Sequence, residues 1–214
     1  MAIIYKKNNY DFSLAVWQIT ESLGELINYF KIDEKEKYVV EQFKNDQRKL
    51  QWLISRILIQ QLLNAMEKIA VVYDEYGKPH LANSDHKISI SHSKNYVAVI
   101  LSKEHKVAID IELIEPRIEK LSNKFMTSSE LASLHEEGKI EQMYIVWCAK
   151  EALYKLYGKK ELDFKKHLFT EPFEYRYNKV KGKIKASIFK DNFHKTCSLY
   201  YERMYDLMLV YIYD

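Results

Sequence analysis

The sequence predicts an α+β protein made of two similar α/β halves, residues 1–103 and 104–214. One observation is a layout that occurs twice, in which a strand is followed by helices and then by several strands, with a period of about half the 214-residue chain. A single doubly wound sheet would instead alternate its strands and helices one by one. A second observation is the lack of a Pro-, Gly- or Ser-rich linker between the halves. We therefore expect the halves to pack tightly, with a crevice between them.

The spacing of apolar residues predicts the elements of the first half. Over residues 12–18 apolar and polar side chains alternate, as in a half-buried strand, and over 46–66 apolar side chains recur at the spacing of a helix. A Gly and a Pro predict a turn over 74–79, and polar residues predict another over 92–95. The remaining predicted elements of this half are helices over 21–30 and 34–44 and strands over 69–73, 87–91 and 96–102.

The second half repeats this layout. Residues 106–113 alternate in polarity and predict a strand, and two helices are predicted to follow over 127–138 and 139–158. No residue-level repeat accompanies the layout, so the similarity of the two halves is one of arrangement only. The last predicted elements are strands over 172–177, 183–190, 197–203 and 207–213.

Composition excludes several classes of protein. Apolar residues make up 47% of the chain and charged residues 29%, which is the balance of a folded globular protein. Two cysteines are too few for a disulfide framework or a four-cysteine zinc site. The N-terminus lacks the apolar stretch of a signal peptide, and the longest apolar run, Leu207–Tyr213, is too short to span a bilayer. We therefore expect a cytoplasmic protein with no membrane partner.

Charge is distributed unevenly along the chain. The net charge of +3 is too small to indicate a nucleic-acid-binding protein, so no nucleic-acid partner is expected. Residues 155–195 hold twelve Lys and Arg against five Asp and Glu, a net charge of +7, while the rest of the chain sums to −4. This stretch would suit an acidic partner, but on charge alone an exposed hairpin of solvated lysines is the simpler interpretation.

The first candidate site residues are Asp110 and Glu112, which are two residues apart in a predicted strand. Successive side chains of a strand point to opposite faces, so the two carboxylates share one face and the apolar residues around them share the other. Neighbouring carboxylates repel each other, and either solvent or a divalent cation relieves that repulsion. Mg²⁺ suits such a pair because it takes oxygen ligands and is completed by waters and substrate phosphates. The alternative is the solvated side of an amphipathic strand.

A second candidate group lies on the predicted helix over 139–158. Glu151 and Lys155 are four residues apart and are therefore neighbours on the helix, with Trp147 one turn before them. A surface ion pair would explain them, but the surrounding residues are too apolar for a simple exposed face. Both interpretations stay open on the residues alone.

Three further features offer a contact to an anion or a helix cap. Ser91 and His92 lie in a small polar turn that presents hydroxyl, imidazole and backbone N–H groups, and Lys78 is held on a rigid Gly-Lys-Pro turn. Each of these features is also common in turns that bind nothing. Thr127 and Glu130 form the pattern of a capping box, which explains Glu130 without a catalytic role.

The order and spacing of these residues resemble the 4′-phosphopantetheinyl transferases, and in particular their two-domain, surfactin-synthetase-activating class. The resemblance covers residues 73–158 most strongly, and Arg48 matches a further element. Ala108 and Cys148 depart from the usual Gly and the usual Ser or Thr. The matching pattern is Ser91-His92-Ser93, then Asp110-x-Glu112, then Phe125 to Glu130, then Trp147-x-x-Lys150-Glu151-x-x-x-Lys155.

The resemblance implies a fold, a reaction and a set of site residues. It implies two α/β halves packed about a pseudo-twofold axis in a monomer, with coenzyme A and Mg²⁺ bound between them. The enzyme would transfer the 4′-phosphopantetheine arm of coenzyme A to a serine of an apo acyl carrier protein or peptidyl carrier domain, releasing 3′,5′-ADP. Glu130 and Lys150 are further candidates whose role is left open. By resemblance, Asp110, Glu112 and Glu151 would bind the metal, Glu151 and Lys155 would be catalytic, and Arg48, Lys78, Ser91 and His92 would bind coenzyme A.

Two other functions are consistent with the same residues. A Mg²⁺-dependent phosphohydrolase acting on a pyrophosphate could use these carboxylates and would release its product to water without a carrier protein. A non-catalytic relative could bind coenzyme A or a carrier protein without transfer. The intact carboxylates and Lys155 argue against this second alternative.

Overall fold

The structure is a computed structural model that describes residues 3–214, which form six α-helices and eleven β-strands. None of the helices within these residues is both long enough and apolar enough to cross a bilayer. The helices are α1 (Leu23–Phe30), α2 (Glu34–Gln42), α3 (Asp46–Leu63), α4 (Ile118–Phe125), α5 (Ser128–Ala132) and α6 (Lys139–Tyr157). The strands are β1 (Ile3–Asn8), β2 (Ser13–Gln18), β3 (Val71–Tyr73), β4 (Pro79–Leu81), β5 (Lys87–Ser93), β6 (Tyr96–Ser102), β7 (Val107–Leu113), β8 (Leu168–Thr170), β9 (Lys181–Lys190), β10 (Phe193–Met204) and β11 (Leu207–Tyr213).

Two antiparallel sheets organise the chain. The first sheet has the strand order β1-β2-β6-β5 and the second has the order β7-β11-β10-β9-β8, while β3 and β4 form a separate hairpin. The first sheet draws all its strands from before residue 104 and the second draws all of its strands from after it. This is the mixed α/β architecture that the sequence predicts. The division into two domains and the pseudo-twofold relation between them stay predictions.

Apolar side chains fill three buried clusters. One lies between the first sheet and α1, α2 and α3, and another lies between the second sheet and α4 and α6. The third contains residues of both sheets and holds Val107, Ile109 and Ile111 of β7. Since side chains alternate along a strand, Asp110 and Glu112 point away from this third cluster and toward α6. The period of two in the β7 sequence thus fixes which face carries the carboxylates.

The polar turn predicted over 92–95 is shorter in the structure. β5 continues through His92 to Ser93, and only Lys94 and Asn95 lie between β5 and β6. Lys94 has a φ of 46°, in the left-handed region that tight hairpin turns use. The sequence-based boundary was wrong because His92 is paired in the sheet, opposite Val97, although its residue type is typical of a loop.

The helices before α6 also differ from the prediction. The helix predicted over 127–138 is limited to α5, and α4 precedes it without having been predicted. Ile118, Ser122 and Phe125 are the buried residues of α4, and they recur at helical spacing. The spacing of these residues in the sequence was therefore sufficient to predict this helix. β1 was missed for a different reason: its side chains are half-buried or exposed at the edge of the first sheet, so its polarity pattern is weak.

The strand predicted over 172–177 is wrong. This segment pairs with no other strand, and the short strand β8 lies just before it. The central aromatic residue of this segment, Tyr175, is buried beside Tyr201, with ring centroids 6.1 Å apart, and it lies close to Gly138. The aromatic residues alternate in the sequence as in a strand, but only Tyr175 is buried and the backbone is unpaired.

Candidate active site

Asp110 lies where β7, β5 and α6 meet. Only 4% of its surface is exposed. Its Oδ1 atom accepts hydrogen bonds from the Ser91 hydroxyl of β5 at 2.7 Å and from the Lys155 ammonium of α6 at 2.8 Å. Its Oδ2 atom is buried and has no hydrogen-bond partner among the described residues. Leaving a buried carboxylate oxygen without a partner is costly, so this atom is suited to a cation or another ligand.

Glu112 is oriented by two neighbouring side chains. Its Oε2 atom accepts a hydrogen bond from the Ser93 hydroxyl at 2.6 Å, and its Oε1 atom accepts one from the Trp147 indole N–H at 3.4 Å. Burial raises the pKa of Glu112, and the nearby charge of Asp110 raises it further, while the two hydrogen bonds act in the opposite direction. The carboxylate is therefore held in place but disfavoured in its charged form.

Glu151 approaches the same carboxylates from α6. Burial raises the pKa of Glu151 to about 7, and the charges of Asp110 and Glu112 contribute to this rise. Lys155, one helical turn later, forms its ion pair with Asp110 rather than with Glu151, and it also donates to the Ile109 carbonyl at 2.9 Å. A surface Glu–Lys pair, one of the two interpretations of the sequence, is therefore wrong, because Lys155 is bound inside the site.

The carboxylates of Asp110, Glu112 and Glu151 fit a divalent cation whose coordination shell is completed by oxygen atoms of the substrate. Within residues 3–214, no group of three or more His, Cys, Asp or Glu side chains is arranged to hold a metal ion by itself. Mg²⁺ usually keeps several waters and is bound by one or two carboxylates together with substrate phosphates. A cation beside the Oδ2 atom of Asp110 would supply the partner that this buried atom lacks and so lower the cost of burying it. It would also offset the repulsion that raises the pKa values of Glu112 and Glu151.

Arg48 and His92 come together near the carboxylates. Arg48, at the start of α3, donates a hydrogen bond to the Nε2 atom of His92. Desolvation and the positive charges of Arg48 and Lys155 lower the pKa of His92 to about 4, while the charge of Asp110 acts in the opposite direction. The imidazole ring is therefore neutral at pH 7, and the positive charge of this pair resides on Arg48.

A cleft between the β3–β4 turn and the end of α6 brings Lys78 close to Lys155. Lys78 donates a hydrogen bond to the Leu156 carbonyl at 3.4 Å. Gly158 ends α6 with a φ of 72°, and a Cβ atom there would lie 3.0 Å from the Lys78 side chain. Glycine is therefore favoured at this position both by its backbone conformation and by the approach of Lys78. The cleft is lined by Tyr76, Lys78, Tyr154, Lys155, Lys159 and Lys160, among others.

Arg56 is a basic residue of this region that sequence reasoning missed. It lies on α3, eight residues after Arg48, and is buried with 6% of its surface exposed. Its guanidinium lies 4.0 Å from the centroid of the Trp52 ring and donates to the Tyr73 hydroxyl at 2.9 Å. Among the described residues no carboxylate lies within ion-pair distance of it. The signal was present in the sequence, since a charged residue interrupts the apolar face of this helix.

Glu130 and Lys150, whose role the sequence leaves open, form a buried ion pair away from the carboxylates. The two charged groups are 2.7 Å apart, with 5% and 0% of their side-chain surfaces exposed. Glu130 also accepts the Thr127 N–H at 2.8 Å and the N–H and hydroxyl of Thr170 at 2.9 Å each. The capping box that the sequence predicts is thus present. The Lys150 ammonium also donates to the carbonyls of Phe125 and Phe164 at 2.7 and 3.0 Å.

Comparison with known proteins finds sequence similarity to one family. The sequence profile of the 4′-phosphopantetheinyl transferase superfamily matches residues 106–197, which include Asp110, Glu112, Glu151 and Lys155 but not Lys78. The 4′-phosphopantetheinyl transferase AcpT of Escherichia coli K12 is 32% identical over 124 residues, and the AcpT of Salmonella typhimurium is 33% identical over 117 residues. These alignments cover 55% and 52% of this chain, and they span 63% and 60%, less than two thirds, of the relatives. These matches support the 4′-phosphopantetheinyl transferase superfamily for this chain, with the family profile matching 106–197.

Proposed function

We propose that this protein transfers the 4′-phosphopantetheine moiety of coenzyme A to a serine of an apo acyl carrier protein or peptidyl carrier domain, releasing 3′,5′-ADP. The observation that carries the proposal is the cluster in which the buried Asp110, with its partnerless Oδ2 atom, meets the half-buried Glu112, Glu151 and Lys155. The proposal includes the two-domain, surfactin-synthetase-activating class and a monomeric state, both of which rest on the resemblance. The cytoplasmic location stays an expectation from the sequence.

In this reaction the serine hydroxyl attacks the β-phosphorus of coenzyme A, and the bond from that phosphorus to the bridging oxygen breaks. Glu151, whose side chain feels the charges of Asp110 and Glu112 in this cluster, would accept the serine proton. Lys155 would offset the negative charge that develops on the departing 3′,5′-ADP. Asp110, Glu112 and Glu151 would hold Mg²⁺ only together with the substrate phosphates, and the bound ion would neutralise charge on the pyrophosphate. Positioning and electrostatic stabilisation dominate phosphoryl transfer of this kind.

The basic residues around the cluster would bind the phosphates of coenzyme A. Lys78 lies in the cleft beside Lys155, and Arg48 and the neutral ring of His92 form a hydrogen-bonded pair nearby. Arg56 adds a buried positive charge without a carboxylate partner, which suits an anionic ligand.

Incubation with coenzyme A, Mg²⁺ and several apo carrier proteins tests the function. Intact-protein mass should show one phosphopantetheine added to the carrier, and 3′,5′-ADP should appear in equal amount. Release of a nucleotide from coenzyme A without any carrier protein would instead show a phosphohydrolase. Coenzyme A binding without product in either arm would show a non-catalytic relative.

Lys155→Ala is expected to lower kcat about 10²- to 10³-fold and to change the KM for coenzyme A much less. A charge that acts mainly on the leaving group stabilises the transition state more than the bound substrate, so its loss affects kcat. Steady-state kinetics with coenzyme A as the varied substrate measures both constants. A change confined to KM would make Lys155 a binding residue and contradict its catalytic role. Thermal unfolding checks that the variant, which also loses its bond to Asp110, is folded.

The structure divides the basic stretch over 155–195 between two surfaces. Lys159 and Lys160 are exposed beside the cleft. Lys183 and Lys185 lie on the face of the second sheet away from α6, because the residues that alternate with them are buried in the cluster that includes α6. The first pair is therefore next to the proposed site and the second pair is not.

The KM for the carrier protein is expected to rise about tenfold as salt increases from 0.1 M to 1 M, because charge steering weakens with screening. The KM for coenzyme A, bound in a more enclosed cleft, should rise less. The double variant Lys159→Glu/Lys160→Glu should raise the KM for the carrier protein at low salt without lowering kcat at saturating concentrations of both substrates. Because both lysines also line the cleft, the KM for coenzyme A is measured for the same variant. Lys183→Glu/Lys185→Glu, which makes the same charge change on the far face, is the control. If both double variants had the same KM for the carrier protein, the basic stretch over 155–195 would be only a solvated surface.

A further inference from the structure

Three alternate serines of β5 lie against the neighbouring strand β7. Their hydroxyl oxygens accept backbone N–H groups of β7 at 3.2, 3.3 and 3.3 Å. Each serine lies 20 residues before the N–H group that it accepts, so β5 and β7 run side by side in the same direction. The serine row therefore joins the edge strands of the two sheets. The pairs are Ser89 with Ile109, Ser91 with Ile111 and Ser93 with Leu113.

Two of the three serines also donate their hydroxyl proton to a carboxylate. Ser91 donates to Asp110 at 2.7 Å, and Ser93 donates to Glu112 at 2.6 Å. Each of these carboxylates lies 19 residues after its serine, and the residue 19 after Ser89 is an alanine. Ser89 therefore makes the backbone contact without a carboxylate contact. A hydroxyl has a single proton to donate. The Ser91 proton that is used on Asp110 is therefore not available to a phosphate oxygen.

We propose that Ser91 and Ser93 are positioning residues that orient the Asp110 and Glu112 carboxylates for a divalent cation. The proposal rests on the proposed function, which takes those carboxylates as cation ligands. It gives Ser91 a different role from the coenzyme A contact that the resemblance implies. Both serines are buried, with 5% and 9% of their surfaces exposed, so water does not replace a lost hydroxyl freely. Hydrogen bonds from outside the coordination shell fix the orientation of metal ligands.

Direct titration with Mn²⁺, followed by electron paramagnetic resonance of the free ion, tests this without relying on activity. Ser91→Ala and Ser93→Ala should each weaken Mn²⁺ binding about 10-fold or more, the usual effect of losing a partner that orients a metal ligand. Ser93→Thr keeps the hydroxyl and should restore most of the affinity. Ser89→Ala is the matched control, since it removes the same kind of backbone contact and no carboxylate contact. Thermal unfolding of all the variants measures the shared loss of the backbone bonds.

The outcomes separate this inference from the proposed function. If Asp110→Asn abolishes Mn²⁺ binding but Ser91→Ala and Ser93→Ala bind like Ser89→Ala, the positioning role is wrong and the metal site stands. If Ser91→Ala raises the KM for coenzyme A and leaves Mn²⁺ affinity unchanged, Ser91 is a phosphate ligand instead. If the wild-type protein binds no Mn²⁺, or Asp110→Asn binds it equally well, the metal site itself is wrong and the inference falls with it.

Discussion

Asp110→Asn is expected to lower kcat/KM for phosphopantetheine transfer about 10²- to 10³-fold, the effect of removing one preorganised electrostatic group from an active site. Asn keeps the size of the side chain and can still accept the Ser91 hydrogen bond. It removes the negative charge on which the Lys155 ion pair and cation binding depend. Because the side chain is buried, solvent does not compensate for the lost charge.

Transfer rates measured by intact-protein mass over a range of Mg²⁺ concentrations test this expectation. Glu115→Gln is the control, because Glu115 follows β7 closely but pairs with Lys94 and Arg117 outside the carboxylate cluster. That variant should transfer at the wild-type rate. Wild-type turnover by Asp110→Asn in low Mg²⁺ would contradict both the metal assignment and the central place of this residue. A fall in activity that follows a fall in Tm would show unfolding, so both are measured at the same temperature.

The features that the sequence predicts correctly depend on local spacing. The period of two in β7 places Asp110 and Glu112 on one face, because strand geometry alone determines it. The helical period of α6 places Trp147, Glu151 and Lys155 on neighbouring turns in the same way. Thr127 and Glu130 form their capping box within four residues, and the structure contains it. In each of these cases the residues whose relative positions are predicted are close in the sequence.

The features that the sequence does not predict depend on contacts between distant segments. Lys155 has an acidic neighbour one turn away on its own helix, yet it pairs with Asp110, 45 residues earlier. Ser91 is attractive as a phosphate contact in a turn, but β5 packs against β7, and the Ser91 hydroxyl donates to a carboxylate there. Neither partner choice follows from spacing, because both require the arrangement of the two sheets. The strand prediction over 172–177 failed because a distant contact is absent: Tyr175 packs against Tyr201, but no neighbouring strand pairs with this segment.

Glu130→Gln is expected to lower the free energy of unfolding by about 3 kcal/mol, as when one partner of a buried ion pair is removed. For a chain of this size that corresponds to a fall in Tm of about 6–12 °C. Lys150 is fully buried, and its ammonium is bonded to Glu130 at 2.7 Å. Gln has the shape to keep the cap on the Thr127 N–H, but it leaves the ammonium without an opposite charge. Thermal and denaturant unfolding measure the change.

The double variant Glu130→Gln/Lys150→Met separates the charge from the cap. Removing the ammonium removes the cost of burying it unpaired, so the double variant should be more stable than Glu130→Gln alone. Full recovery is not expected, because the carbonyls of Phe125 and Phe164 lose their donor. A double variant that is no more stable than the single one would mean that the unpaired charge is not the source of the loss.

Activity then distinguishes positioning from catalysis at this pair. The rings of Phe125 and Phe164 lie 5.0 and 5.5 Å from the Trp147 ring, and the Trp147 indole donates to Glu112. Lys150 bonds to the backbone of both phenylalanines and to Glu130, so these contacts connect it to the carboxylate cluster through Phe125, Phe164 and Trp147 rather than directly. Well below its Tm, Glu130→Gln should therefore lose much less activity than Asp110→Asn. If folded Glu130→Gln protein lost as much kcat as Asp110→Asn at unchanged KM, Glu130 would have to act on the substrate itself, and the ion pair would no longer explain why a carboxylate stands at this position.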